Sequence, residues 1–479
     1  MYKEARKEVE SKLSDVLQSK NKMALTTDMW TSETNDAYLG LTCHFLTTDF
    51  ELVSLCLAVE PFTGRHTGVN IASCLKQILR DFTIDQAAVS AVITNNASNM
   101  DLASRLGEWH CFGHTLQLSI DDGIKMSPGI REMIKSTKAI VAFYNHSTKG
   151  TERLTELQEH LSLPKHKLLS DCPTRWNSTY YMLTGLLEQK PAITIMCASS
   201  AGPRVSLSTA EWCMMSELIQ ILQPLEEATW ELSAEQRVCC SNIIPLPNAL
   251  LFELRKNIVD DDETQVPDDD ETQVPESQGS SVPTSEESQQ VVVGLIASIE
   301  RRWLNYEEDR IYSICTLLDP RFKEVCFTSA ALVRAKRLLL SIMRALTQGD
   351  SVTSSASVVN DDQEDVPIKK MKCLWYSFDE LKKKKSTDLS TNQDKDEKEL
   401  SLYCSAEYID RKEDPLAWWK GNKSRFPTLA RIAREYLAIP AMSTPSERLF
   451  SAAGYISSQR RSRLSGENLN QLVFLNKNL

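Results

Sequence analysis

Three strand-like runs in direct succession, then one helix and a fourth strand, constrain this 479-residue chain more than any other feature. Met23–Asp28 is apolar and ends on an acid. Ala37–Thr47 is rich in Leu, Thr and aromatic residues. Glu51–Val59 alternates poorly but is apolar enough for a buried strand. Gly68–Phe82 switches to helical spacing through Val69, Ala72, Leu75, Ile78 and Leu79. Ala88–Thr94 is a short strand again, and it runs into Asn95-Asn96-Ala97, a turn and helix start.

That order is the order of a ribonuclease-H-like sheet. Such a sheet places one acid on its central first strand, a second after the fourth strand and a third on a later helix. The reason is chemical: two divalent ions about 3.5–4 Å apart need carboxylates converging from neighbouring elements. The first position falls on Asp28. The second falls on Asn95, which is not an acid. A third acid is offered by Ala441–Ser451, which reads as a sharp helix start. Thr444 suits the N-cap, Pro445 the first helical position, and Glu447 stands three residues after the cap. Glu447 is therefore either a capping-box glutamate reaching back to a backbone N–H, or the last acid of a metal-binding set.

Elsewhere the chain is mostly helical in pattern. Residues 2–20 form an amphipathic stripe through Val9, Leu13, Val16 and Leu17. Trp109–Leu118 opens a helix in which Cys111 and His114 have the C-x-x-H spacing of half a zinc site. No second ligand pair is nearby, and a buried cysteine beside a hydrogen-bonded histidine is the other reading. Helical pattern continues to about Leu161, and again over 208–256 and 291–346. A lone Trp176 in Thr174-Arg175-Trp176-Asn177 reads as a packing anchor. Asp-Asp-Glu-Thr-Gln-Val-Pro occurs twice, at 261–267 and 269–275, inside an acidic stretch that reads as a disordered loop. Lys369–Lys372 and Lys382–Lys385 lie in a second low-complexity stretch, 348–399.

The net charge of −11 is not spread evenly. Residues 257–290 hold eleven Asp/Glu and no Lys/Arg, so the remainder is neutral (−11 + 11 = 0). Residues 414–479 hold ten Lys/Arg against four Asp/Glu, or +6, and a basic region of that kind can meet phosphates or simply be solvated. No apolar run reaches membrane-span length, and the N-terminus lacks a signal-peptide pattern. Thirteen scattered cysteines without a C-x-x-C pair suit a reducing compartment. The last helix, Gly466–Lys477, carries a stripe of Leu469, Leu472, Val473 and Leu475. Its partner is either a second copy of the chain or the chain's own body.

Several motifs taken together resemble one family. They are Asp414-Pro415-Leu416-Ala417-Trp418-Trp419, Phe426-Pro427 with Leu429-Ala430, Ile439-Pro440-Ala441 leading to Ser446-Glu447-Arg448, and Arg461 followed by Arg463-Leu464. They resemble the C-terminal dimerisation region of hAT-family DNA transposases. Thr27-Asp28-Met29-Trp30, Asn95-Asn96-Ala97, Cys111 with His114, Arg175-Trp176 and Leu318-Asp319-Pro320-Arg321 fit the same family, and look most like vertebrate BED-zinc-finger proteins derived from such transposons.

The resemblance implies an α/β plus all-α protein: a ribonuclease-H-like mixed sheet interrupted by a large helical insertion, with C-terminal helices for dimerisation. The expected divisions are an N-terminal helix (1–22), the first part of the core (23–190), the insertion (191–410, with loop 257–290 and linker 348–399), and a dimerisation region completing the core (411–479). It implies catalytic positions at Asp28, the degenerate Asn95 and Glu447. DNA contacts are implied at Arg175, Trp176, Arg460, Arg461 and Arg463, with Trp176 stacking on a flipped base. Trp418, Trp419 and the Leu469–Leu475 stripe are implied in dimerisation. Two departures weigh against activity. An amide at Asn95 removes a charge that two Mg²⁺ ions require, and no BED finger precedes residue 23 in this sequence. The expected function is a domesticated, catalytically inactive nuclear protein that forms a homodimer and binds DNA or chromatin partners. An active Mg²⁺-dependent transposase and a dimeric scaffold without DNA binding are the alternatives. No cofactor is expected, with Mg²⁺ only if the chain is active.

Overall fold

The computed structural model describes residues 1–258 except 33, 96–99, 101–107, 173–174, 200–201 and 235–236, residues 285–352 except 304, and residues 393–457 and 464–479. The two low-complexity stretches lie mostly outside these ranges, as do Arg460, Arg461 and Arg463.

Five strands, β1 (Met23–Thr31), β2 (Ala37–Leu46), β3 (Leu52–Pro61), β4 (Val89–Thr94) and β5 (Glu108–His110), form one mixed sheet ordered β3-β2-β1-β4-β5. β1–β2 and β2–β3 are antiparallel; β4 and β5 run parallel to β1. The helix Gly68–Asp81 makes the crossover to β4, with Thr67 accepting the Asn70 N–H as its N-cap. β1 does not stop at Asp28 as expected. It continues to Thr31 because Met29, Trp30 and Thr31 keep pairing with Leu39, Tyr38 and Ala37 of β2. β5 was not expected: its three residues carry no periodicity that could announce a strand.

Both sheet faces are covered. On one, Leu25, Leu39, Leu41 and Phe45 meet Ile71, Leu75, Ile78 of the crossover helix and Leu13 of the N-terminal helix Tyr2–Gln18. On the other, Ala91, Ile93, Phe112 and Leu116 lead into a continuous core shared with the helical region. Burial of these side chains is the main source of stability, roughly 1.5–3 kcal/mol for each large apolar group.

The helical region docks through a close crossing. Helix Phe112–Met126 passes helix Glu286–Trp303 so tightly that a Cβ on Gly294 would stand 3.0 Å from the Gly123 Cα. Asp122 clamps the crossing from its rim, accepting from Arg301 at 2.7 Å, Arg302 at 2.8 Å and the Ser298 hydroxyl at 2.8 Å. The stretches read as single helices are broken. Residues 208–256 split into Thr209–Leu232 and Pro245–Arg255, and 291–346 into parts of Glu286–Trp303, Arg310–Leu318 and Ser329–Val352. Asp309 caps the middle piece by accepting from the Ile311 and Tyr312 N–H groups.

The C-terminal segments return to the sheet, and several residues expected in dimerisation pack within the protomer. Trp419 is fully buried, stacked on Tyr403 at 5.3 Å and Phe50 at 6.2 Å, and donates its indole N–H to the Leu318 carbonyl at 2.9 Å. Trp418 packs partly buried against Phe426. The last helix, Gly466–Asn478, buries Leu469 and Val473 against β3, and Leu475 is partly buried against the N-terminal helix side. Its Asn470 and Asn478 serve the free edge of β3. Asn470 accepts the Val59 N–H at 2.9 Å; Asn478 accepts the Cys56 N–H at 3.0 Å and donates to the Cys56 carbonyl at 2.9 Å. An unpaired edge is thereby satisfied within the protomer. The stripe is spent internally, and only Leu472, 36% exposed, faces outward.

Candidate functional site

Parallel pairing of β1 with β4 ends at Thr26 and Ile93. Carried on by two residues, that register puts Asp28 beside Asn95, just beyond the ladder. The sheet thus delivers both positions to one spot, with Asp28 buried and Asn95 half-buried. Asn95 Nδ2 donates to Asp28 Oδ1 at 2.5 Å, and the same oxygen accepts the Met29 N–H at 2.7 Å.

Glu447 arrives on helix Thr444–Ile456. The helix begins one residue earlier than expected, with Ser443 rather than Thr444 in the N-cap position. A capping box would give the N-cap N–H to the glutamate. Here the Ser443 N–H goes to Cys111 Sγ at 3.3 Å, and Glu447 accepts instead from the Ser443 hydroxyl at 3.2 Å. The carboxylate thus touches its own N-cap through the hydroxyl rather than the backbone, and it also lines the cavity. Phe450, one turn on, holds the helix down. Its ring stacks on Trp30 at 5.9 Å and lies over Gly40, the β2 residue paired with Asp28. A Cβ on Gly40 would stand 2.8 Å from the Phe450 ring, so only glycine admits this approach.

Asp28, Asn95, His114, Arg175 and Glu447 line one cavity of 560 Å³. Burial, with the Glu447 charge beside it, pushes the Asp28 carboxyl up to about 6 against the pull of its two hydrogen bonds and His114. Burial would lower the His114 imidazole, but its bond to Cys111 and the Cys111, Glu447 and Asp28 charges lift it to about 9. Burial raises the Cys111 thiol while His114 and Ser443 lower it, and the net direction is down. The C-x-x-H pair is thus a hydrogen-bonded couple turned toward the acids, and no group of three or more His, Cys, Asp or Glu among the described residues is arranged to hold a metal.

The donor set does not fit a two-metal centre. Asp28 Oδ1 already accepts two N–H groups, and Asn95 brings an amide where a charge is needed. The Asn95 Oδ1 is buried with no hydrogen-bond partner among the described residues. Two carboxylates and one amide oxygen leave two divalent cations under-neutralised.

A second cavity of 440 Å³ adjoins the first, sharing His114, Arg175, Glu447 and Ser451 with it. Trp176 lines it. The indole is 7% exposed and belongs to the main core, and its Nε1 has no partner among the described residues. The packing role read from the sequence describes the side chain as it stands; stacking on a base would use the sliver facing the cavity. Arg175 is exposed, and Arg448 is anchored by donating to the Ser233 carbonyl at 2.8 Å.

Of the residues expected in the site, Asp28, Asn95, Glu447, Arg175 and Trp176 lie together. Trp418, Trp419, Leu469 and Val473 lie in cores away from it. Sequence reasoning missed His114 as a neighbour of the acids, and it missed Gly40, whose signal was a glycine inside an otherwise bulky strand.

Comparison with known proteins bears on this geometry. Residues 26–117 match the ZBED1 RNase-like domain, 109–221 the ZBED1 RNase-like helical domain, and 399–479 the hAT family C-terminal dimerisation region. The human "Zinc finger BED domain-containing protein 4" is 27% identical over 95% of this chain and 37% of its own length. The maize "Putative AC transposase" is 26% identical over 99% of this chain and 58% of its own. The mouse "Zinc finger BED domain-containing protein 6" is 25% identical over all of this chain and 50% of its own. The chain thus spans between about a third and three fifths of the length of these relatives.

Proposed function

For a chain that belongs to the hAT transposase-like family, with its dimerisation region and RNase-like domains, we propose a nuclear homodimer that binds DNA without cutting it. One observation carries the reading: the Asn95 amide occupies the second acid position and is hydrogen-bonded to Asp28 at 2.5 Å. An Asp28 carboxylate so engaged, beside an uncharged amide, is a poor ligand for paired cations. The DNA-binding part rests on the two adjoining cavities, with Arg175 on their shared wall and Trp176 in one of them. Arg460, Arg461 and Arg463, outside the described residues, follow the Glu447 helix in sequence and would extend the basic surface. Chromatin-associated proteins are further candidate partners.

The test is incubation of purified protein with DNA carrying terminal inverted repeats, with Mg²⁺ or Mn²⁺. No nicking is expected, with binding that weakens linearly in log–log salt titration. Metal-dependent cleavage that vanishes in Asp28→Ala would establish an active transposase instead. That second reading draws on the convergence of Asp28 and Glu447 in one cavity. Absence of binding at low salt would leave a dimeric scaffold.

A further inference from the structure

The helix that presents Glu447 also presents Ser451 and Tyr455 at four-residue intervals, so the three share a face. All three line the 560 Å³ cavity. Tyr455 is 87% exposed, in a helix whose other large apolar side chains are buried (Leu449 and Phe450, 2% and 7% exposed) or partly buried (Ile456). Folding therefore makes almost no use of this ring, although it sits at the mouth of the cavity. Opposite it stands Trp30, two residues after Asp28 and so on the same face of β1. Trp30 is half-buried, fixed by stacking on Phe450 and by the tilted Tyr38 ring at 5.5 Å. Gly454 lies between: a Cβ there would make ordinary contact with the Trp30 indole edge at 3.7 Å, so the helix lies close against this ring. Arg175 completes the wall.

An open aromatic ring, a rigid aromatic wall and a guanidinium around one cleft are the parts that single-stranded nucleic acid requires. Bases stack on aromatic faces regardless of sequence, and the cation meets the backbone. We propose that Tyr455 is a stacking platform for a nucleobase of a DNA strand entering the acid cavity, an inference that rests on the DNA-binding reading above. The geometry also sets a position. Tyr455 is eight residues beyond Glu447, about 12 Å along the helix axis. Stacked bases rise about 3.4 Å each, so the stacked base is three or four nucleotides from the one beside Glu447.

The experiment uses the full chain and single-stranded DNA oligonucleotides, each carrying one 2-aminopurine at a different position, read by anisotropy and by quenching. Tyr455→Ala should weaken binding about 5- to 150-fold, the range found for removing one base–aromatic stack. Tyr455→Phe and Tyr455→Trp should keep it. The log–log salt slope should be the same in all four proteins, because no phosphate contact is removed. Quenching should be confined to a few adjacent positions and should disappear in Tyr455→Ala. Such an exposed side chain can be replaced without disturbing the fold. Wild-type affinity in Tyr455→Ala, or equal losses in Tyr455→Phe and Tyr455→Ala, would overturn the stacking role while leaving DNA binding intact. No binding by the wild type at low salt would overturn both.

Discussion

Asn95→Asp restores the acid that the cavity lacks, and the structure says what that restoration costs. The amide nitrogen is 2.5 Å from Asp28 Oδ1, and the substitution exchanges this donor for an acceptor. A hydrogen bond to a charged acceptor is worth about 1.5–3 kcal/mol. Two ionised carboxylates that relax to about 4 Å apart repel by about 4 kcal/mol at an effective dielectric of 20. Sharing one proton relieves most of that repulsion, and Asp28 already titrates at about 6. Four kcal/mol is about three pKa units, so the pair still shares a proton at pH 8 and is largely ionised only near pH 10, where the variant should lose about 3–5 kcal/mol. At pH 5.5 the proton is shared and the loss should shrink to about 1–2 kcal/mol, essentially the missing donor. A divalent cation should reverse the alkaline loss, giving back about 2.7 kcal/mol at one hundred times its dissociation constant. The assay is chemical denaturation of wild type and variant at both pH values, with and without Mg²⁺. Wild type should move by less than about 0.5 kcal/mol on adding Mg²⁺, a change typical of a surface effect. A variant as stable as wild type near pH 10, or a wild type stabilised equally by Mg²⁺, would refute the reasoning.

Three other outcomes follow from the same coordinates. Burial in the sheet drives the His44 imidazole down to about 3 from an ordinary 6.5. The unfolded chain then binds more protons between those values, so stability should fall by about 5 kcal/mol as pH drops from 6.5 to 3. Asp28, raised to about 6, works in the opposite sense between about 3.8 and 6 and returns about 3 kcal/mol. The net acid limb of about 2 kcal/mol should vanish or invert in His44→Gln, read by denaturation across pH. Gly40→Ala should cost about 1–3 kcal/mol by pushing on Phe450, and Phe450→Leu should recover part of it in a double-mutant cycle. Trp419→Ala should destabilise the protomer by about 3–5 kcal/mol without changing the protein's sedimentation at concentrations where it stays folded, because the indole is in the core.

What could be read in advance were features that depend on local pattern. The strand order and the crossover helix followed from periodicity, and Asp28 meets Asn95 because a parallel β1–β4 pair fixes its own register; Glu447 was placed with them by the family resemblance, its spacing alone favouring a cap. What could not be read were features that depend on a partner. Asn470 and Asn478 look like ordinary polar positions until the free edge of β3 lies under them. Trp418 and Trp419 look like an interface pair until Tyr403, Phe426 and Phe50 close around them. Glu447 looks like a capping residue until Cys111 takes the N–H it would have used. In each case the deciding atom is far away in sequence.

That last exchange bears on what holds the cavity in shape. Metal-bound carboxylate sites often depend on the ion for their shape, because converging charges repel. Here the Glu447 helix is held by contacts that involve no ion: Ser443 N–H on Cys111, the Phe112 N–H on the Ala441 carbonyl at 3.0 Å, Arg448 on Ser233, and Phe450 against Gly40 and Trp30. The acid position is an outcome of packing. With the frame supported in this way, a third carboxylate contributes charge repulsion and a large desolvation cost whenever cations are absent, whereas an amide of the same shape removes the repulsion and leaves the smaller cost of one buried oxygen without a partner among the described residues. The Asn95 amide therefore lowers the charge repulsion in the cavity and, by the same loss of charge, supplies less neutralisation for paired cations.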